Sequence, residues 1–459
     1  MTITHSAART GRLARPVIPI AIVTAVGGFL FGFDNGSISG STGDLTQRFS
    51  LSPAALGWVT SSIIVGCIVG VLIAGRLSDA VGRRRVLLST AVVFLIGTLG
   101  EAFAPSSSLL VAARIFVGIG IGTETTIAPL YIAEVAPAEL RGRLVSFNQF
   151  FNTIGNLIIF TVSAIIANST SQVFNVDTGW RIIFATGLVP AIVFVLLLRF
   201  IPESPRWLVR HGHNEQARAV LARIAPGSDP SAALEELRQA VSQEKGSGFR
   251  ELWRPGLRKA LVVGFGAALF QQITGINAIF YYAPDIFRSA GFGNGGATWS
   301  TVLFGIVLVL ATLVSMWIID RVGRRTLLIF GSVGMTVFLA AVGTVFRAAH
   351  PNGPLLVTLV LAFVAVFAVS FGTVAYVIIA EIFPTNVRGA AASVATLALW
   401  GGDYLVSQFF PVLTADISSS ATFYLFAGIA LLSLIFVLTM VPETKGRTLE
   451  EIEEAMHTR

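Results

Sequence analysis

The sequence predicts an all-α membrane protein, with twelve spanning helices forming two six-helix bundles and short cytoplasmic helices between them. Three observations carry that expectation. Of 459 residues, 54% are hydrophobic and only 12% are charged, about half the charged share of a soluble chain. Apolar stretches long enough to cross the hydrocarbon layer recur throughout. Short motifs of the first half return about 240 residues later.

The spans fall at about 17–40, 53–75, 86–104, 107–135, 144–167 and 180–201, then at about 258–284, 298–319, 326–347, 354–382, 389–414 and 419–441. This divides the chain into an N-terminus (1–16), a first bundle (17–201), a linker (202–257), a second bundle (258–441) and a tail (442–459). The N-terminus carries Arg9, Arg12 and Arg15 and shows no cleaved-signal pattern. An even number of spans puts both termini on one side. The loops of that side hold 27 of the 32 Lys and Arg residues, which makes it cytoplasmic. In the linker, Asn214–Ile224 and 232–244 read as short amphipathic helices around a Pro/Gly/Ser turn.

The same reading excludes other classes. The low charge and the 34 phenylalanines exclude disorder. The single cysteine, Cys67, lies in an apolar run and excludes a disulfide scaffold. The net charge of +7 is spread over seven loops, not gathered on one face as nucleic-acid binding requires. The soluble segments contain no nucleophile–base pair, metal-ligand spacing or phosphate loop, so neither an enzyme nor a cofactor is expected.

Asp79-Ala-Val-Gly-Arg-Arg-Arg85 returns as Asp320-Arg-Val-Gly-Arg-Arg-Thr326, and Ala133–Gly142 returns as Ala380–Gly389. Pro202-Glu-Ser-Pro-Arg206 returns as Pro442-Glu-Thr-Lys-Gly446. Two homologous bundles related by an axis along the membrane normal are a transporter architecture. All these motifs fall at cytoplasmic helix ends. Asp79, Arg83, Arg84, Glu134, Arg141, Glu203 and Arg206 in the first half, with Asp320, Arg324, Arg325, Glu381, Arg388 and Glu443 in the second, are read as charge pairs of a cytoplasmic gate. The plainer alternative is a set of fixed helix-end pairs that orient loops.

These motifs, with Gln271-Gln-Ile-Thr-Gly-Ile-Asn277 and Tyr281-Tyr282, resemble those of the sugar porter family of the major facilitator superfamily, in the family's order along the chain. The resemblance is strongest to bacterial proton-linked symporters. It implies the major facilitator fold and import of a monosaccharide or polyol by alternating access, with sugar, protons and lipid as partners and a monomer as the working unit. A passive facilitator and a non-transporting sugar sensor are the alternatives; the short tail after Pro442 speaks against the sensor.

Asp34 lies inside the first span. An acid within a membrane helix is a functional candidate with a partner to be named, and Arg114 of span four is that partner. Arginine stays protonated, so the carboxylate titrates. The resemblance implies that Asp34 carries the coupled proton. Glu124 in span four and Asp403 in span eleven are two further acids: a second titrating group, a cation ligand, a substrate contact, or simply a hydrogen-bonded acid. Carboxamides both donate and accept without charge, as sugar hydroxyls require. Gln149 and Asn156, seven apart on one face of span five, and Gln271, Gln272 and Asn277, around a glycine-containing irregular turn in span seven, are therefore substrate candidates, with Phe31, Tyr281 and Tyr376 as aromatic surfaces. Relative to the family, Tyr376 stands where a stacking tryptophan is usual, and Leu399 and Leu308 replace amides. Substrate contacts from the second half are therefore fewer or different, and a deoxy sugar, a polyol such as inositol, or a hexose bound in another orientation would all fit.

Overall fold

The computed structural model describes residues 6–136, 141–224, 229–242, 255–383 and 387–445. Every regular element among them is helical. Ten stretches are long and apolar enough to cross a membrane. Ser6–Phe49, which holds Asp34, and Arg388–Asp416, which holds Asp403, complete the twelve spans.

In the first half, spans two to five are Pro53–Val81, Arg83–Ala102, Ser107–Val135 and Arg141–Ser169. Span six begins earlier than its hydropathy suggests. A helical turn at Gln172–Phe174 and a π-helical turn at Asn175–Gly179 lead into Trp180–Thr186 and Leu188–Leu198. The buried Asn175 side chain holds that turn by donating to the Ala167 carbonyl at 3.3 Å. Spans one and five pack together, as do two and four, around a core that includes Ile63, Val117, Ile121 and Phe194.

The second half repeats this plan with interruptions in spans seven and ten. Span seven is broken between Pro255–Ile273 and Ile276–Ser289, where Gly275 takes a left-handed φ of 92°. A side chain there would be strained, so glycine is the residue that permits the break. Span ten is broken at Ser370 (φ −111°, ψ −99°), between Gly353–Val369 and Phe371–Glu381. An unbroken span over 354–382 was expected; the break falls where Ser370, Gly372 and Thr373 interrupt the apolar run. Spans eight, nine and twelve, Asn294–Val322, Arg324–Val345 and Ser419–Met440, are continuous. The linker contains Pro205–Arg210, Asn214–Ile224 and Pro230–Ser242. The first of these was not expected. The last starts two residues before its expected position, because Pro230 suits a first helical turn.

The halves meet where span two lies on span eleven, span five on span eight, and span one on span seven. Away from the basic helix ends, hydrogen bonds join them. Thr42 donates to Asp285 at 2.6 Å and Ser61 to Gln408 at 2.9 Å. Asn168 donates to Thr298 at 3.0 Å and Asn294 to Gln172 at 3.0 Å.

Candidate functional site

Arg114 lies at the centre of the first half with no exposed surface. Its Nε donates to the Val59 carbonyl at 2.9 Å and its Nη2 to the Thr60 carbonyl at 3.4 Å. These bonds from span two fix the guanidinium plane. Asp34 Oδ2 stands 3.7 Å from Nη2, and the Asp34 side chain is 3% exposed. The predicted partners are thus within ion-pair reach. A third residue, Glu101, escaped the sequence reading. Its Oε1 accepts from Arg114 Nη1 at 3.4 Å, and its side chain is 1% exposed. Glu101 stands one residue from the end of span three, where a carboxylate ordinarily reaches water, so its position gave no signal.

The amides of span seven gather at the break. Gln271 Nε2 donates to the carbonyls of Phe371 at 3.1 Å and Gly372 at 3.3 Å, just past the break in span ten. Its Oε1 is buried without a hydrogen-bond partner. Asn277 donates to Gln272 across the Gly275 turn. Tyr281 donates to Asn35 of span one at 3.3 Å, bridging the halves. Asp403 accepts from Ser407 at 2.8 Å, and the side chains of Tyr281 and Asn277 face it. Tyr376 is 48% exposed and lies toward the same carboxylate. Phe31 meets Trp400 edge-on, with centroids 5.5 Å apart. Trp400 is a second aromatic surface that the site prediction left out. Spans one, seven, ten and eleven therefore bring amides, hydroxyls and aromatic faces to one place between the halves.

Span five contributes unevenly. Gln149 is half-buried. Asn156 is buried and donates back along its own helix to Asn152 O at 3.0 Å, leaving its Oδ1 without a partner. Glu124 is 4% exposed, and the Asn148 side chain of span five faces its carboxylate. It presses on the backbone of span one, where a Cβ at Gly27 would stand 1.9 Å from Glu124 Oε1. Glu124 therefore lies within the first bundle, apart from the span-seven amides.

At the basic end each half carries the same charged cluster. Arg83 donates from Nε to Glu134 at 3.0 Å and from Nη1 to Asp79 at 3.0 Å. Glu203 accepts from the backbone N–H groups of Arg83 at 2.8 Å, Arg84 at 3.1 Å and Ser204 at 2.9 Å. In the second half Arg324 Nη2 donates to Glu381 at 2.9 Å. Glu443 accepts from the backbone of Arg324 at 2.9 Å and Arg325 at 3.1 Å. Gly82 and Gly323, with φ of 101° and 102°, make the matching sharp turns. Each carboxylate thus caps a helix N-terminus, where the exposed N–H groups attract negative charge. These pairs join residues of the same half. Arg206 is engaged as well. The side chains of Arg141, Asp320 and Arg388 lie outside the described residues.

A family model described as "Sugar (and other) transporter" matches residues 20–456. The arabinose-proton symporter of Bacillus subtilis is 40% identical over 438 residues, covering 95% of this chain and 94% of that one. The D-xylose-proton symporter of Escherichia coli is 35% identical over 470 residues, covering 95% of each. Among solved structures, a partially occluded inward open conformation of the xylose transporter XylE from E. coli superposes with a TM-score of 0.84 at 34% identity, covering 94% of this chain and 99% of that one. The same symporter bound to 6-bromo-6-deoxy-D-glucose gives 0.79 at 34% identity, covering 96% and 99%.

Proposed function

The chain belongs to the sugar transporter family, and we propose that it is a proton-coupled symporter importing a monosaccharide or polyol across the cytoplasmic membrane by alternating access. The observation that carries this reading is the buried Asp34–Arg114 pair at 3.7 Å, in the half that faces the span-seven amides. A permanently charged arginine and a titratable acid in a water-poor interior form a switch with one proton of capacity. When Asp34 is ionised, it is bound to Arg114 and so to spans two and four. When it is protonated, that attraction ends and span one is released. Span one also touches the second half through Asn35 and Tyr281, so release of span one reaches the sugar site.

The substrate is held by Gln271, Gln272 and Asn277 with Tyr281 and Tyr376, against the aromatic faces of Phe31 and Trp400; Gln149 and Asn156 supply the opposing wall from span five. The bonds that close the end away from the basic clusters, together with the likeness to a partially occluded inward open structure of a relative, support a cytoplasm-facing state with both termini inside. The Arg83–Glu134–Asp79 and Arg324–Glu381 clusters keep the cytoplasmic end of each half rigid, so that each rocks as a body and together they form the gate. The working unit is a monomer.

The test is counterflow in liposomes with D-xylose, arabinose, myo-inositol and glucose, followed by uptake driven by an imposed pH gradient. An accumulated sugar, lost on adding an uncoupler, is the expected result. Equal uptake with and without the gradient would make the protein a facilitator.

A further inference from the structure

The exchange between Asp34 and Arg114 leaves Glu101 without a task, although Glu101 is within hydrogen-bond reach of the same guanidinium. Arg114 is held in place by two carbonyls of span two, with carboxylates on both sides, Glu101 at 3.4 Å and Asp34 at 3.7 Å. Only the Glu101 contact is a hydrogen bond; Asp34 Oδ2 has no hydrogen-bond partner, and neither has Glu101 Oε2. One fixed positive charge thus serves two buried acids.

We propose that Glu101 is the standby counter-ion of Arg114, a positioning residue that takes over the guanidinium whenever Asp34 carries the proton. The proposal rests on the reading of Asp34 as the proton carrier. In a two-membered pair, protonating Asp34 would leave a lone guanidinium buried in the membrane, and breaking a buried pair is strongly unfavourable. With Glu101 present, the protonated state keeps a neutral Arg114–Glu101 pair. In the unprotonated state, two carboxylates compete for one cation and the cluster carries a surplus negative charge. Both effects favour proton loading. The proton adds to an Asp34 oxygen, Arg114 keeps all its N–H groups, and the same proton later leaves Asp34 for the cytoplasm.

Among the described residues, no other charge is placed to take this part. Asp34 and Arg114 are the charged groups acting on Glu101. Of the other described helices packed on span three, Leu188–Leu198 carries no ionisable side chain. Arg181 of span six is engaged by the Ala102 carbonyl at 3.1 Å. Span two faces the cluster with Cys67, and span seven with Tyr281 and Tyr282; thiols and phenols are neutral at ordinary pH. Asp403 of span eleven acts on Cys67 and Tyr281 from the other half.

The experiment measures gradient-driven uptake against external pH in proteoliposomes, using the sugar identified by counterflow. Glu101→Gln is expected to move the pH of half-maximal accumulation toward acid by at least one unit, a tenfold higher proton concentration. Glu101→Asp, which keeps the charge, should recover most of that shift. If the glutamine variant does not purify as a monodisperse protein, Glu101→Ser serves in its place with the same expectation. A profile superimposable on the wild type overturns the proposal. So does complete loss of accumulation at every pH with counterflow intact, which would make Glu101 the carrier itself. Asp34→Asn is run in parallel. If it still accumulates sugar, the reading of Asp34 has failed. If it does not, and the Glu101 variants show no shift, only the standby role has failed.

Discussion

Gln271 offers the sharpest test of the sugar site, because its two amide atoms have different surroundings. The Nε2 donates to two carbonyls beside the break in span ten, while the Oε1 is buried with nothing to accept from. A buried acceptor without a partner is unfavourable unless a ligand completes it. A sugar hydroxyl is the natural donor. Gln271→Leu preserves the volume and removes both functions. The hydroxyl that had paired with Oε1 would then be bound unpaired, at a cost of about 1–3 kcal/mol. At 1.4 kcal/mol per factor of ten, the dissociation constant should rise about 5- to 150-fold. The carbonyls of Phe371 and Gly372 also lose their donor, so the thermal unfolding midpoint should fall. Calorimetric titration of the purified protein reads the first effect and thermal unfolding in detergent the second, with the exposed Gln216→Ala as control. Unchanged affinity together with a lowered midpoint would show that Gln271 only braces span ten, and would refute its role in binding.

Asp34→Asn mimics the protonated acid and cannot release a proton inside. It should exchange sugar in counterflow yet fail to accumulate it, and wild-type accumulation should fall as external pH rises, because loading requires the proton; normal accumulation by the mutant in a proteoliposome assay would remove Asp34 from coupling. Glu203→Gln takes the negative charge from a helix N-terminus that supplies two backbone donors, those of Arg83 and Arg84. A loss of about 1–2 kcal/mol is expected for such a partly buried site, read as a lower unfolding midpoint, with the same result for Glu443→Gln at the matching position. Asp403→Asn keeps hydrogen-bonding capacity beside Ser407 and Asn277, so it should change the ranking of sugars in a competition panel while leaving gradient-driven accumulation in place; the reverse outcome would make Asp403 a proton site.

The sequence determined the spans, the repeat and the residue types of the site, since these follow from local composition and spacing. Twenty apolar residues have to cross a membrane wherever they pack. Asp34 and Arg114 were legible because a charge inside such a run is rare and calls for a partner. The Gly275 turn was legible because glycine sits amid polar residues within a span. The duplicated helix-end clusters were legible because both copies of each motif survive. What only the tertiary structure decided are the contacts made across distant elements. Glu101 looks like a boundary residue until span three packs against Arg114. The break at Ser370 falls at Ser-Phe-Gly-Thr within an otherwise apolar span whose hydropathy is unbroken, and Gln271 is seen to brace it only once spans seven and ten are adjacent. Gln149 and Asn156, seven apart, share a helix face by spacing, yet close packing against span one turns Asn156 back on its own helix while Gln149 remains half-exposed. Periodicity places a side chain on a face; which partner that face meets depends on how two bundles close on each other.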